Sequence, residues 1–115
     1  MSWSSGLQLR VVGGSDRDRV IPLLTKEVIM GRATGAKGKP KEGHIYFTDP
    51  TVSRAHASLM WDHRRKVYVL THLSRTNATK VDGERVTQAP VKVGSSIQMG
   101  HVLLVMEPLS KRAPL

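Results

Sequence analysis

The 115-residue sequence contains no cysteine. That excludes disulfides, thiolate metal sites and cysteine nucleophiles, and it fits a reducing compartment. Long hydrophobic runs are also missing. The longest, "VLLVM" at 102–106, has strand length and falls far short of the roughly 18 residues of a membrane span. The opening "MSWSSG" lacks the basic and apolar regions of a signal peptide. A cytoplasmic, soluble protein without membrane contact is expected, with residues 1–6 disordered. Acidic residues are scarce relative to basic ones: 18 Lys and Arg against 9 Asp and Glu give a net charge of +9. Such a surplus points to anionic partners: nucleic acid, phosphorylated protein or an acidic membrane face.

Helical periodicity is absent as well. No stretch sustains apolar residues at i, i+3, i+4 and i+7, and Pro22, Pro50 and Pro90 interrupt several candidates. The period that is present is two. "LQLRV" sets Leu7, Leu9 and Val11 against Gln8 and Arg10. "AHASLMWD" sets Ala55, Ala57, Leu59 and Trp61 against His56, Ser58, Met60 and Asp62. "KVYVLTHL" sets Val67, Val69 and Thr71 against Tyr68, Leu70 and His72. Turn signals fall between the runs, the clearest being Asp82-Gly83, the pair favoured in two-residue type I′ hairpins. The pattern predicts an all-β protein of about ten or eleven short strands, a sandwich or barrel. One domain fits a chain of this length. The segment "ATGAKGKPKEG", 33–43, departs from the rhythm and reads as a long basic loop. Residues 108–115 read as a tail.

"DPTVSRAHASL", 49–59, places Ser53, Arg54 and His56 within four positions. A hydrolase reading fails on geometry: on a strand Ser53 and His56 would face opposite sides. No G-x-S-x-G elbow surrounds the serine, and Asp49 is too near in sequence to complete a triad. A metal reading fails on spacing, since the five histidines show no ligand pattern and only a weak His63–His72 pairing is conceivable. No catalytic residue, metal or cofactor is expected. Three polar clusters instead fall where strands meet loops: Gly31-Arg32, "SRAH" at 53–56 and "SRTNAT" at 74–79. If these converge at one end of a sandwich, they supply guanidinium forks, hydroxyls and an amide, the donor set for a phosphate and its backbone. Taken singly, Ser53 suits a turn cap and Thr76 a hydroxyl–backbone turn. Asn77 suits a left-handed turn position.

The ordered pieces "GR" at 31–32, "IYFTDPTVSRAHA" at 45–57, "LSRTNATKVDGERV" at 73–86 and "VGSSIQMG" at 93–100 resemble a forkhead-associated (FHA) domain. The resemblance implies an FHA/SMAD-like β-sandwich over residues 7–107, with phosphothreonine-binding loops at one end. Arg32, Ser53, Arg54 and Thr76 match phosphate-side positions, and Asn77 matches the residue that bonds the ligand main chain. Gly31 and His56 match structural supports. Lys37, Lys39, Lys41 and Arg75 would lie at the periphery, with the basic loop rising at the binding end. Where the family usually carries glycine after Thr-Asn, this chain has Ala78, which would be strained if the position needs positive φ. The implied function is non-catalytic: a monomeric module recognising phosphothreonine on a partner protein in signalling. The competing reading is a nucleic-acid-binding β-domain, which the five aromatics, mostly at core-like positions, argue against. A further alternative is a divergent FHA domain used for phosphate-independent assembly.

Overall fold

Wherever apolar residues alternate, the chain forms strands, and their buried sides meet between two sheets. The computed structural model describes residues 3–34 and 41–109. Among them are eleven strands and no helix. One sheet has the order β2-β1-β11-β10-β7-β8. Its members are β1 (Leu7–Gly13), β2 (Val20–Leu23), β7 (Thr79–Val81), β8 (Glu84–Arg85), β10 (Ser96–Met99) and β11 (Val102–Pro108). The other runs β4-β3-β5-β6-β9, from β3 (Glu27–Arg32), β4 (His44–Phe47), β5 (Ala57–Asp62), β6 (Val67–His72) and β9 (Gln88–Val91). Leu9, Val11, Met30, Phe47, Leu59, Leu70, Ile97 and Leu104 lose all their exposure between the sheets. Each such side chain contributes about 1.5–3 kcal/mol by leaving water. Tyr68 is buried among them, and its hydroxyl donates to the Thr25 carbonyl at 2.7 Å. No helix among the described residues is long and apolar enough to cross a membrane.

Four details differ from the sequence expectations. Residues 3–6 are not frayed. Trp3 packs edge-on against Trp61 at 5.6 Å, and the Ser5 hydroxyl donates to Leu23 O at 2.9 Å. Gln8, on the polar side of β1, is buried because Glu107 on β11 lies directly across and accepts from its amide. β5 begins only at Ala57, so the alternation does not extend back through the preceding turn: Ala55 is exposed and His56 fully buried.

The fourth concerns the basic loop. β3 and β4 are parallel, with Ile29 opposite His44 and Arg32 opposite Phe47. A parallel neighbour requires the connection to travel back along the sheet before the next strand starts. The chain therefore leaves β3 at the Arg32 end and re-enters at the other, where Gly43 O accepts from Ile29 N and Lys41 O from His44 N. At about 3.3 Å per residue, the start of β4 lies roughly 10 Å below Arg32. Lys41 thus belongs to the opposite end of the sandwich and is no peripheral contact of the loops around Arg32. Lys37 and Lys39 lie outside the described residues.

Candidate functional site

Four connections meet at the Arg32 end: the β4–β5 loop (48–56), the β6–β7 loop (73–78), the Gly100-His101 turn between β10 and β11, and the β1–β2 turn, whose Asp16 accepts from Thr48 N at 2.9 Å. Their approach to β3 depends on Gly31. A Cβ there would sit 2.6 Å from the Arg54 carbonyl carbon and closer still to its oxygen. Only glycine lets the β4–β5 loop fold back onto the strand. The backbone N–H of Arg32 then donates to Ser53 O at 2.9 Å, and one guanidinium nitrogen donates to Pro50 O at 3.2 Å.

His56 joins β3 to the β4–β5 and β6–β7 loops. Its backbone N–H donates to Met30 O on β3, and its carbonyl accepts from Leu73 N and Ser74 N. Nδ1 accepts the Ser53 N–H at 3.0 Å, so the ring proton lies on Nε2, which donates to Ala78 O at 3.3 Å. Burial lowers the imidazole's pKa, and the charge of His72 lowers it further; the bond to Ala78 opposes the shift only in part. The ring is a neutral brace bonded to backbone, not to the Ser53 hydroxyl, so the two residues form no nucleophile–base pair. His72 meets His56 edge-on at 5.8 Å and Thr79 Oγ1 at 2.7 Å, rather than pairing with His63.

The Ser53 hydroxyl meets the hydroxyl of Ser74 and lies 3.0 Å from that of Thr76. Ser74 Oγ is also 3.3 Å from Thr76 Oγ1 and accepts the backbone N–H groups of Thr76 and Asn77 at 3.1 and 3.3 Å. Sequence reasoning passed over Ser74, although a serine two residues before a turn residue is the signature of a hydroxyl–backbone turn. The three hydroxyls form the floor of an open groove whose walls carry Arg32, Arg54 and Arg75, and no carboxylate lines it. Arg54 and Arg75 are exposed, and no protein hydrogen bond holds either guanidinium among the described residues.

Asn77 is fixed from the other side of the same loop. Its amide Nδ2 donates to Thr51 O at 2.8 Å. Thr51, a second residue missed in the sequence, is itself held by Asp49, whose Oδ1 accepts its N–H and hydroxyl at 2.9 and 2.6 Å. Those two bonds, the hydroxyl first, keep the Asp49 carboxyl below its ordinary pKa. The D-x-T spacing is an Asx-turn signature and could have been read. Neither Asn77 nor Ala78 has positive φ, so the alanine in place of glycine carries no strain here.

The model of the FHA domain matches residues 28–100. The chain belongs to the FHA family. Solved FHA structures agree with the fold. The FhaA FHA domain, complexed with the intracellular domain of another protein, is 25% identical, with a TM-score of 0.69 over 88% of this chain and 99% of that one. An FHA domain from work on phosphothreonine-dependent interactions is 28% identical, with a TM-score of 0.69 over 95% and 98% of the two chains. The FHA domain of a hypothetical Arabidopsis thaliana protein, at 17% identity, shares the fold with a TM-score of 0.76 over 100% and 97%. No curated protein matches the sequence. FHA domains are interaction modules.

Proposed function

We propose that this FHA domain binds a phosphothreonine-bearing segment of a partner protein in the groove floored by Ser53, Ser74 and Thr76. The observation that carries the reading is the convergence of three hydroxyls beneath three arginines with no carboxylate among them. A phosphate monoester carries about −1.5 to −2 charge at neutral pH with several acceptor oxygens. Arg32 would hold it: its bond to Pro50 O fixes the guanidinium while leaving most of its donors free. The Ser53 and Thr76 hydroxyls, now bonded to each other, can turn to donate to phosphate. Arg54 and Arg75 add charge at the rim. Asn77, held by Thr51, would bond the ligand main chain beside the phosphothreonine. The relative studied for phosphothreonine-dependent interactions supports the choice of ligand. Such a module acts where kinases do, and we assign it to cytoplasmic signalling. The phosphate-independent alternative rested on Ala78, which is unstrained.

Calorimetric titration with matched phosphothreonine, phosphoserine and unphosphorylated peptides tests the reading. Phosphothreonine peptide should bind near micromolar, about −8 kcal/mol, and the unphosphorylated peptide should not bind detectably. The lost threonine methyl alone is worth about 0.8 kcal/mol against phosphoserine. Arg32→Ala should weaken phosphopeptide binding about a hundredfold, as expected for lost charge-assisted bonds, with an unchanged melting temperature. Retained affinity within a few-fold of wild type would remove Arg32 from the site.

A further inference from the structure

The five-stranded sheet has a second face, turned away from the core. Its outward positions alternate with the buried ones: 27, 29 and 31 on β3, 44 and 46 on β4, 58, 60 and 62 on β5, 67, 69 and 71 on β6, 88 and 90 on β9. None of them is Lys or Arg, in a protein with 18 of the two. The outward face of the other sheet carries Arg10, Lys80 and Arg85, and the groove end carries Arg32, Arg54 and Arg75. A solvated sheet face is ordinarily polar. Here it holds Ile29, Met60, Val67, Val69 and Pro90, and Met60, directly across from Val69, is half exposed. Its acids are Glu27, across from Met60 on the other side, and Asp62, which Arg65 pairs. Arg64 borders the shallow depression that Met60 and Val69 line. Strand addition at the edges of this sheet is hindered. His72 N donates to Thr87 O, so by antiparallel alternation Pro90 turns its nitrogen, which has no hydrogen, to the free edge of β9. At the other edge Arg19 donates to Tyr46 O, and Asp16 accepts from Thr48 N just past the end of β4.

We propose that this face packs against the same face of a second copy, forming a weak two-fold dimer of sheets laid face to face. Charge selects the occupant. Two molecules of net charge +9 repel each other wherever their cations meet, and this face has none at its outward positions. An anionic partner would find no cation there to bind. A second copy supplies an apolar strip for the strip, and Arg64 at its border for Glu27. Area sets the strength. Five strands about 4.8 Å apart and about six residues long cover roughly 400 Å². A stable pair buries about 800 Å² per partner, so the dimer forms at high concentration or where two copies are held close. The phosphate groove lies at the end of the sandwich and not on this face, so both grooves stay open.

The test is sedimentation equilibrium of the protein alone from about 10 μM to about 1 mM. The average mass of wild type should climb from the monomer toward twice that value. Added salt should raise the association, because it screens the mutual repulsion. Met60→Lys should stay monomeric over the same range. Val12→Lys, which adds the same charge at an exposed site on the other sheet, should associate as wild type does. Glu27→Arg should weaken association about threefold, and Glu27→Arg/Arg64→Glu should recover it. A wild type that stays monomeric throughout would leave this face to a partner of another sequence and overturn the proposal. So would a Met60→Lys dimer as strong as wild type, an equal loss in Val12→Lys, or an association that salt weakens. A double swap that recovers nothing would overturn the seating of Arg64 over Glu27. No phosphopeptide enters the measurement, so the dimer and the phosphothreonine reading stand or fall separately.

Discussion

At the end of the sandwich away from the groove, turns close on themselves. Asp62 caps its own turn, its carboxylate accepting from Arg64 N, Arg65 N and Arg65 Nε at 3.0, 3.2 and 2.8 Å. The Arg65 bond comes first among the causes that depress that carboxyl's pKa. Asp82 and Gly83 take φ of 53° and 84°, a type I′ hairpin made by two residues. At the groove end, by contrast, partners come from far along the chain. Ser53 meets Thr76 across 23 positions, Asn77 meets Thr51 across 26, and Thr51 meets His101 across 50. The first kind of turn takes its bend from its own residues and serves the fold, although the Asp82 carboxylate also accepts from Ser95 Oγ and Ser96 N at 3.3 and 3.0 Å. The second holds functional side chains at fixed spacing, and it fails if any one of several distant contacts fails.

The sharpest break should come at Gly31. In Gly31→Ala the new methyl meets the Arg54 backbone, which cannot swing aside as a flexible side chain could. Overpacking of this kind costs about 3 kcal/mol, and relieving it means lifting the β4–β5 loop that carries Ser53. Melting temperature and phosphopeptide affinity should drop together. A variant that melts within a few degrees of wild type and still binds would show that the loop does not depend on this close approach.

His56 should come next, with an effect of about 2 kcal/mol for His56→Ala, because removal leaves the Ser53 N–H without its partner and opens a cavity. Its titration gives a separate signature. Burial holds the folded pKa below the ordinary histidine value of 6.5, so below that pH the unfolded chain binds more protons than the folded one. Stability from this group is full above pH 6.5 and declines as the pH falls towards the depressed folded value. Protonated Nδ1 would also no longer accept from Ser53. Denaturant melts from pH 7.5 to 5 should slope downward in wild type and lose most of that slope in His56→Asn. An equal slope in both would show that the pH dependence does not come from His56.

The same contrast explains what the sequence disclosed. Strand faces were legible because period two is local: Leu59, Tyr68 and Leu70 turn inward as the alternation requires. Asp82-Gly83 was legible because a two-residue turn is written in two residues. Arg32, Ser53, Thr76 and Asn77 were brought forward by family resemblance, and the geometry does gather them at one end. Ser74 and Thr51 were missed because each works mainly by holding a neighbour. Lys41 was misplaced because nothing local in the sequence says that β3 and β4 run parallel. Trp3 was misread because one aromatic in a Ser/Gly run has no periodicity, and its partner Trp61 lies in β5.

The smallest effect, and the one that sharpens the comparison most, belongs to Gly83→Ala. Here φ is +84° but nothing lies within 4 Å of the added methyl. The cost is then the left-handed conformation alone, about 1 kcal/mol, with no displaced neighbour. For a domain of this size that corresponds to a melting-temperature drop of roughly 4–8 °C. Gly83→Asn, whose side chain tolerates the left-handed region, should recover part of it. By its register the hairpin lies at the Val81 end of β7, while the groove-side loop enters at Thr79. Phosphopeptide affinity should therefore match wild type at a temperature where both are folded. A loss of stability comparable to Gly31→Ala would mean that a left-handed φ alone costs as much at Gly83 as backbone crowding does at Gly31. A loss of affinity without a matching loss of stability would mean that the two ends communicate through β7, and the separation between self-closing turns and cross-braced loops would fail.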